Sequence, residues 1–254
     1  MSRIIAVTNQ KGGVGKTTTA VNLSACLALL GKKVLMVDID PQRNATSGLG
    51  VEPNEGAPTV YDLLLDEAAD PAQAILPTET EGLFAIPGSI ELSGAEIELV
   101  DVPEREYLLK KMLAKLQEQF DYIFIDCPPS LSLLTLNALT AADSMLVPIQ
   151  CEYYALEGVG QLMNTLMLVR KRLNPNLQVE GVVLTMYDSR TNLSEQVAEE
   201  VRRYFREHLF KTTIPRNVRL SEAPSHAQPI HLYDPRCSGA QAYLELAKEL
   251  LKGI

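Results

Sequence analysis

The chain has 254 residues, of which 46% are hydrophobic, 22% are charged and 6% are aromatic, and it contains no tryptophan. A chain of this size and composition can bury a large apolar core, and its few aromatic residues argue against an aromatic-rich carbohydrate or peptide groove. The net charge of −9 argues against a protein that coats nucleic acid over its whole surface. No apolar run reaches about 18 residues and no charged-then-apolar leader precedes the first strand-like segment, so we expect neither a membrane span nor export.

Charge is distributed unevenly along the chain. Residues 165–220 carry ten Lys/Arg against six Asp/Glu, and the remainder carries 13 against 26. One basic face on an acidic body would produce this distribution, and so would ordinary solvated helix faces.

The cysteines are widely spaced and form no C-x-x-C pair. Together with three scattered histidines they give no zinc-binding spacing. We therefore expect small buried thiols in a reducing cytosol at all four positions, which are Cys26, Cys127, Cys151 and Cys237.

Short apolar runs alternate with helical patterns along almost the whole chain. The predicted strands span residues 3–8, 33–38, 83–87, 122–126, 144–149, 179–185 and 209–214. The predicted helices span residues 17–30, 105–119, 133–141, 156–173, 194–208 and 239–251. Several strands are apolar on both faces, as in IIAV, VLMV, YIFI and GVVL, which is typical of a parallel sheet covered on both sides. The alternation predicts an α/β fold in one domain over residues 1–254, with a doubly wound, mostly parallel sheet and helices on both faces, and the Gly-, Pro- and Asn-rich stretch 48–58 predicts a mobile surface loop.

A glycine-rich turn, KGGVGKTT, lies between the first predicted strand and the first predicted helix. Glycines let successive backbone N–H groups point at an anion, and the new helix adds its own unpaired N–H groups and dipole. The predicted phosphate loop consists of Lys11, Gly12, Gly13, Val14, Gly15, Lys16, Thr17 and Thr18. Lys16 would contact the β- and γ-phosphates, and the Thr17 hydroxyl would bind Mg²⁺. The alternative is a glycine turn beside two surface lysines, but the strand before it and the helix after it favour a phosphate site.

The loop departs from the standard pattern G-x-x-x-x-G-K-[ST], because Gln10 stands where the first glycine should be and Lys11 follows it. In this form it resembles the deviant Walker A motif of the ParA/MinD family of ATPases. Three further segments narrow the resemblance to the ParA/Soj branch: DIDPQRNAT at 38–46, YIFIDCPPSL at 122–131 and PIQCEYYALEGV at 148–159. With TMYDSRTNLS and IPRNVRLSEAPSHAQPI towards the C-terminus, the similarity extends over nearly the whole chain. The resemblance implies a P-loop NTPase fold, ATP and Mg²⁺ as cofactors, and Mg²⁺-dependent ATP hydrolysis.

The resemblance also gives Lys11 a role. In the proteins that this chain resembles, the equivalent lysine crosses the interface of an ATP-sandwiched dimer and contacts the phosphates bound by the other subunit. A second cation at the developing negative charge would act as an arginine finger does elsewhere. We therefore expect a homodimer in the ATP-bound state, with Lys11 and Lys16 both contributing to catalysis.

Carboxylates end two of the predicted strands. Asp126 ends an apolar strand and is expected to hold Mg²⁺ through water beside Thr17, although capping of the following turn is compatible with this position. Asp38 and Asp40 are two residues apart and are expected on the same side of the sheet. By resemblance, Asp40 orients the hydrolytic water and Asp38 supports the metal site, with turn capping as the alternative for Asp40.

The identity of the base is less readable from the residues. The N-K-x-D guanine signature is missing, which weakly favours ATP over GTP. The resemblance places adenine against the IPRN segment and thus implies contacts from Pro215 and Asn217, with Glu152 as a ribose-side candidate.

ParA/Soj-type proteins bind double-stranded DNA without sequence preference once ATP has dimerised them, and they respond to a ParB/Spo0J-like partner. The matching basic positions are Arg190 and Arg219, and the implied location is cytoplasmic and nucleoid-associated. Without the resemblance, each arginine would be interpreted as an ordinary surface residue. The basic run at 170–172 is compatible with the same surface and equally with an ordinary helix end.

Three related classes are alternatives. A MinD-like membrane-positioning ATPase would carry a basic amphipathic C-terminal helix, whereas the apolar stripe in SGAQAYLELAKELLKGI, with its few lysines, favours packing on the sheet, so no membrane contact is expected. An iron–sulfur reductase would need cluster-binding cysteines, and neither Cys127 nor Cys151 lies in a recognisable ligand setting. A tyrosine kinase of this loop class would carry a tyrosine-rich tail, which this sequence lacks.

Overall fold

The structure is a computed structural model that describes residues 2–54, 56–152 and 155–253. Its strands are β1 (Arg3–Val7), β2 (Val34–Asp38), β3 (Leu76–Pro77), β4 (Leu83–Ile86), β5 (Tyr122–Asp126), β6 (Ser144–Gln150) and β7 (Gln178–Thr185). They form one seven-stranded sheet in the order β3-β4-β2-β5-β1-β6-β7. Every neighbouring pair is parallel except β3 and β4.

Helices connect the strands. They are α1 (Lys16–Leu29), α2 (Asn44–Gly48), α3 (Val60–Leu65), α4 (Leu92–Glu98), α5 (Leu108–Ala114), α6 (Leu133–Ala141), α7 (Ala155–Arg172), α8 (Asn192–Phe205), α9 (Val218–Glu222), α10 (Ile230–Tyr233) and α11 (Ser238–Lys252). Short 3₁₀ turns lie at Pro71–Ala74, Arg105–Tyr107 and Ala223–His226. The parallel connections and the helices that cover both faces confirm the predicted doubly wound α/β fold.

Alternate residues of the central strands enter two different cores, as the two-residue period of a strand requires. In β1, Ile4 and Ala6 pack with helices α3 to α8, whereas Ile5 and Val7 pack with α1 and α11 on the other face. Both faces are therefore buried, which explains why these strands are continuously apolar.

The register brings functional residues to the same edge of the sheet. Val7 of β1 pairs with Asp126 of β5, and Asp126 in turn pairs with Asp38 of β2. The phosphate loop begins directly after β1. Because the three strands are parallel, the loop and both aspartates lie together at the carboxyl edge, where open α/β sheets bind ligands.

The predicted strand 209–214 is wrong. The structure has only isolated bridges here, Val182 to Leu209 and Tyr187 to Pro215. Between these bridges, the N–H groups of residues 211 and 212 donate to the carboxylate of Glu249 on α11, at 2.7 and 3.0 Å. The N–H groups of Phe210 and Ile214 still donate to the Val182 and Leu184 carbonyls of β7 at 3.0 and 2.8 Å, but the Thr212 N–H between them, which would continue the ladder, goes to Glu249 instead.

Other differences are smaller. The predicted helix 105–119 is a 3₁₀ turn followed by α5, which ends at Ala114 and gives way to single turns. Strand β3 and five helices of four to seven residues escaped prediction because they are too short to show periodicity. Three predicted features include residues outside the described part of the chain: the ends of the 1–254 domain, residue 55 of the 48–58 loop, and residues 153 and 154 of the motif at 148–159.

Candidate nucleotide-binding site

The loop after β1 has the backbone that an anion-binding turn requires. Gly13 and Gly15 adopt left-handed conformations with φ of +75° and +86°, which other residues resist. Gly15 is the N-cap of α1, and no side chain of the described residues caps this helix start. The N–H groups of the first turn are therefore available to a phosphate.

Hydrogen bonds to two neighbouring strands hold the loop in place. The Asn9 amide donates to the carbonyl of Pro148 on β6 at 2.8 Å, and its oxygen accepts the N–H of Lys11 at 3.0 Å. The Thr185 hydroxyl at the end of β7 donates to the carbonyl of Val14 at 2.8 Å. These bonds tie the loop to β6 and β7, which both lie on one side of β1, so the loop is pre-organised rather than free.

Lys16 lies beneath the loop with only 7% of its surface exposed. Its ammonium donates to the carbonyl of Lys11 at 3.0 Å. Burial lowers the pKa of Lys16, and the charges of Asp126, Cys127 and Asp40 oppose that shift. A buried ammonium at an open loop is suited to a polyanion, which would supply the charge that the protein leaves uncompensated.

Asp126 ends β5 and is fully buried. Neither carboxylate oxygen accepts a hydrogen bond from any described residue. Burial, followed by the charge of Asp38, raises the pKa of Asp126 well above its ordinary value, while the nearby Thr17 hydroxyl and Lys16 lower it without outweighing burial. An orphaned carboxylate beside a threonine hydroxyl is an oxygen donor set that fits Mg²⁺.

No group of three or more His, Cys, Asp or Glu side chains in the described residues could hold a metal ion by itself. Mg²⁺ in nucleotide sites takes one or two protein oxygens and completes its shell with water and phosphate oxygens, so the fit of a magnesium ion rests on Thr17 and Asp126 alone.

Asp38 and Asp40 have different surroundings. Asp38 Oδ2 accepts the N–H and the hydroxyl of Thr46 at 2.8 and 2.7 Å, and its Oδ1 accepts the N–H of Asp40 at 3.1 Å. Burial raises the pKa of Asp38 to about 6, and these hydrogen bonds oppose the shift. Asp40 lies beyond the end of β2 and borders the phosphate cavity. Both oxygens of Asp38 are thus occupied by the segment that follows β2, and Asp40 is the carboxylate at the cavity.

Two adjoining cavities match the two ends of a nucleotide. One, of about 320 Å³, is bordered by the loop glycines, Lys16, Thr17 and Asp40. The other, of about 390 Å³, contains the predicted base contacts Pro215 and Asn217. Gly15, Thr18 and Met186 border both. The structure therefore brings the phosphate-loop and base-contact predictions to one continuous site.

Glu152, which is predicted on the ribose side, forms ion pairs with two separate segments of the chain. Its carboxylate lies 3.7 Å from the ammonium of Lys11 and 3.8 Å from the guanidinium of Arg216, and it also accepts a hydrogen bond from the Gln150 amide. The Lys11 side chain is one-third exposed. In this single chain Lys11 thus lies against its own subunit at the rim of the site.

The predicted DNA contacts, Arg190 and Arg219, are exposed and belong to adjoining segments, because Arg216 N–H donates to the Tyr187 carbonyl at 3.2 Å. Asp188 binds Arg190 through both oxygens at 2.9 and 2.8 Å.

Arg219 pairs with Glu222 at 2.8 Å and Asp234 at 3.6 Å. Surface pairs of this kind contribute little to stability, so neither arginine side chain is held strongly by its acidic partners.

The basic run at 170–172 does not share this surface. Helix α7 leaves the carboxyl end of β6 and returns to the amino end of β7, and the two strands are parallel. Its last turn therefore lies at the amino edge of the sheet, whereas Arg190 follows the carboxyl end of β7.

The apolar stripe of the C-terminal helix is buried as predicted, but it packs mainly against α1 rather than on the sheet. Tyr243, Leu246, Ala247 and Leu250 of α11 are buried in the core against α1, and the Tyr243 hydroxyl lies 3.1 Å from that of Thr19. None of the described helices is long and apolar enough to cross a membrane.

Cys127 and Cys151 are buried, and burial raises the pKa of each thiol, that of Cys151 to about 12. Such thiols are poorly suited to bridging a cluster between subunits.

Some residues at the site escaped sequence reasoning. Met186 borders both cavities. Its backbone is left-handed with a φ of +50°, a conformation that no sequence pattern predicts for a methionine. Asn9 and Thr185 act through tertiary contacts that spacing does not reveal. Thr46 stood in the segment DIDPQRNAT, whose polar residues could have indicated a fastened turn.

A family model described as AAA domain matches residues 2–179. The chain is 63% identical over 250 residues to the sporulation initiation inhibitor protein Soj of Bacillus subtilis (strain 168), with 98% of each chain covered. It is 54% identical over 253 residues to the chromosome partitioning protein ParA of Myxococcus xanthus (strain DK1622), covering 99% of this chain and 89% of the relative. Among solved structures, cobyrinic acid a,c-diamide synthase from Mycobacterium smegmatis with bound ADP and magnesium has a TM-score of 0.85 at 42% identity, covering 99% of this chain and 95% of that one.

The match to the family model includes the phosphate loop, the segment after β2 and the end of β5. The similarity to the Bacillus and Myxococcus proteins continues beyond it through α11. The chain therefore belongs to the AAA-domain family and, within it, to the ParA/Soj chromosome-partitioning ATPases.

Proposed function

We propose that the chain is an ATP-dependent dimerising switch that binds DNA without sequence preference and hydrolyses ATP to drive chromosome or plasmid partition. The observation that carries the proposal is the arrangement of Lys16 and Asp126, a buried cation and a buried unpartnered carboxylate beneath a pre-organised glycine loop. Neither charge is fully satisfied within the protein, so a bound metal–nucleotide complex would compensate both.

Each part of the site has a task in ATP binding. The first turn of α1 and Lys16 bind the β- and γ-phosphates, and Pro215 and Asn217 border the base. Thr17 and Asp126 hold Mg²⁺, which supplies positive charge that stabilises the transferring phosphoryl group. The ADP and magnesium bound in the Mycobacterium structure support a magnesium–nucleotide complex as the ligand.

Hydrolysis needs a positioned water. Asp40 orients a water molecule, whose oxygen attacks the γ-phosphorus while the bond to the β–γ bridging oxygen breaks and ADP departs. Lys11 acts from the second subunit: it leaves Glu152 of its own chain and contacts the phosphates of its partner. Its partial exposure and its weak pair with Glu152 support this proposal, because a surface ion pair of this kind is worth only about 0–1 kcal/mol.

The closed dimer binds DNA through Arg190 and Arg219, and pairing two copies doubles a modest basic patch. A ParB/Spo0J-like partner accelerates hydrolysis, and the dimer then separates and leaves the DNA. The time that the dimer stays on DNA is therefore set by ATP hydrolysis. The protein would act in the cytoplasm, on the nucleoid. The partition relatives at 63% and 54% identity support this role.

The experiment combines molecular mass with DNA binding in the absence of nucleotide, with ADP and with a slowly hydrolysed ATP analogue. We expect a monomer with little DNA affinity in the first two states and a DNA-bound dimer in the third. A protein that stays monomeric and ignores DNA in all three states would contradict the proposal.

A MinD-like membrane-positioning ATPase is the second candidate. The burial of Tyr243, Leu246 and Leu250 argues against it, because the apolar stripe of α11 is already used in the core. Co-sedimentation with anionic vesicles in the presence of ATP would reverse this preference. We do not extend the amide-forming activity named for the Mycobacterium structure to this chain, because the two relatives with higher identity carry sporulation and partition names.

A further inference from the structure

The segment that joins β2 to α2 is held by a chain of buried hydrogen bonds. Asp38 Oδ2 accepts the Thr46 hydroxyl at 2.7 Å and the Thr46 N–H at 2.8 Å. Both side chains belong to residues that are only 1% exposed. The segment between them contains Asp40, so this contact closes a loop around the proposed water-orienting residue.

The Thr46 hydroxyl has a second task. It accepts the N–H of Gly88, which follows β4, at 2.9 Å. The backbones of Gly88 and Asp38 are closely packed, since a Cβ atom added at Gly88 would lie 2.9 Å from the Asp38 carbonyl oxygen. One hydroxyl therefore donates to Asp38 and accepts from Gly88, which serine can reproduce and valine cannot.

The chain of bonds ends at Asp40. Asp38 Oδ1 accepts the Asp40 N–H at 3.1 Å, and the Asp40 carboxylate accepts the Gln42 N–H at 2.9 Å. Asp40 is 6% exposed and borders the phosphate cavity. Gly88, Thr46, Asp38 and Asp40 thus form a continuous buried path from the end of one strand to the site of hydrolysis.

The segment cannot hold this position by itself. Helix α2 has five residues, which is far below the roughly 12 to 15 residues that an isolated helix needs to be even marginally stable. Arg43, its N-cap, is in a left-handed conformation with φ of +56°, which is unfavourable for a residue other than glycine. Tertiary anchors must therefore fix the turn.

We propose that Thr46 is a positioning residue for ATP hydrolysis. Its hydroxyl bonds to both Asp38 and Gly88, and these bonds fix the backbone that presents Asp40 to the attacking water. This inference rests on the proposed function, and specifically on Asp40 as the group that orients the water. It assigns Asp38 to the same scaffold, because both of its oxygens are bonded within this segment.

The test compares Thr46→Val with Thr46→Ser. Valine keeps the shape but leaves Asp38 and the Gly88 N–H without their shared hydroxyl. We expect kcat for ATP to fall by about 10- to 100-fold, the range found when supporting groups of a site are removed, while KM and ATP-dependent DNA association stay unchanged. Serine should restore kcat to within about threefold of the original chain, since it keeps both hydrogen bonds.

Thr140→Val is the matched control. Thr140 is also fully buried and its hydroxyl makes a hydrogen bond of 2.7 Å, but to the carbonyl of Leu136 within its own helix. Its kcat should remain that of the original chain. Thermal unfolding of all three variants shows whether the loss of activity follows a loss of folded protein.

Several outcomes would overturn the inference. An unchanged kcat in Thr46→Val would show that the Thr46 hydroxyl has no part in hydrolysis. A parallel loss of DNA association or a raised KM would show that Thr46 supports binding or folding rather than the position of the attacking water. If Thr46→Val does not fold, Thr46→Ser decides: a kcat as low as that of an Asp40→Ala variant would show that the methyl group matters and the hydroxyl does not. An original chain that hydrolyses no ATP would overturn the proposed function itself, whereas an active original chain with an equally active valine variant would overturn only the role of Thr46.

Discussion

Asp126 illustrates how a functional residue can oppose stability. It is fully buried, and neither oxygen has a hydrogen-bond partner among the described residues. An unsatisfied buried charge is costly, and proteins retain one where a ligand compensates it. In this chain the compensating ligand is the proposed Mg²⁺–nucleotide complex, so burial of Asp126 lowers the stability of the nucleotide-free protein.

Replacing Asp126 with asparagine should therefore stabilise the nucleotide-free protein at neutral pH by about 1–3 kcal/mol, because asparagine carries no ionisable group and avoids the penalty of burying one, at about 1.4 kcal/mol for each unit by which burial raises the pKa. Burial raises the pKa of Asp126 in the folded chain above the value of about 4 that it has in the unfolded chain. As pH rises from about 4, the carboxyl therefore ionises first in the unfolded chain, which lowers the free energy of unfolding of the original chain. The asparagine variant has no carboxyl at this position and keeps its stability. The difference should vanish at pH below about 4. Urea unfolding between pH 4 and 8 measures it.

Asp143→Asn is the control for this substitution. Asp143 is exposed and accepts the N–H of Ile4 at 2.8 Å, so its loss should bring no gain. The stabilisation that Mg²⁺ and ATP give to the original chain should disappear in Asp126→Asn. An asparagine variant that is less stable than the original chain would contradict our interpretation of Asp126.

A second prediction at this scale concerns Arg190. Arg190→Ala should weaken DNA binding by the ATP-bound protein equally for unrelated sequences, and it should reduce the slope of log affinity against log salt by about 1 per site. Arg172→Ala removes the same kind of exposed side chain at the opposite edge of the sheet and should leave both quantities unchanged. Filter binding between low and moderate salt tests both variants, and equal losses would argue against the proposed DNA surface.

At the scale of elements, a buried amide joins α6 to the turn before β7. The Asn174 side chain donates to the carbonyls of Leu139, Thr140 and Ala142 at 3.0, 3.3 and 2.8 Å. These carbonyls belong to the end of α6, where a helix leaves its last acceptors unpaired. One side chain therefore completes the helix end and positions the strand that follows.

Asn174→Ala should lower the free energy of unfolding by about 2–3 kcal/mol, because it leaves buried acceptors unsatisfied. Binding of ATP should be unchanged, since the residue lies at the amino edge of the sheet. Asn176→Ala, an exposed position in the same turn, is the control and should have little effect. Denaturant unfolding with an ATP titration separates the two expectations, and a destabilisation shared by both variants would rule out the capping role.

The elements also show where sequence reasoning succeeds. Strands β1, β2 and β5 were predicted because burial on both faces leaves an apolar run that is visible locally. The predicted strand at 209–214, LFKTTI, is rich in residues that favour strands but is not continuously apolar, and the carboxylate of Glu249 takes two of its N–H groups. That competition depends on a residue more than thirty positions away, which no local pattern contains.

The site divides in the same way. Lys16, Thr17 and the loop glycines could be predicted because a phosphate loop is a local device with fixed spacing. The link from Thr46 to Gly88 and the pairing of Glu152 with Lys11 depend on how distant segments meet. The resemblance supplied the role of Lys11, which the residues of a single chain could not reveal.

At the scale of the whole molecule, the parallel sheet gathers the phosphate loop, Asp40 and the Arg190 segment at one carboxyl edge. The proposed nucleotide and DNA contacts thus belong to the same side of the protein, where the proposed second copy would affect both. Lys11 is at the rim of this edge rather than among the residues that border the phosphate cavity. A site that is completed from outside explains why the chain would hydrolyse ATP only as a dimer.

The most direct test of this account mixes two inactive variants. Lys11→Ala keeps its own Lys16 but has no lysine to offer its partner, and Lys16→Ala offers Lys11 but cannot bind phosphate well. Neither homodimer has a complete site, whereas the mixed dimer has one. We expect ATPase activity of the equimolar mixture, measured with DNA present, to exceed that of either variant by about tenfold or more, since a catalytic cation supplied in trans is worth at least that much. A mixture that is no more active than its components would show that Lys11 acts within its own subunit or not at all, and would contradict the proposed dimeric switch.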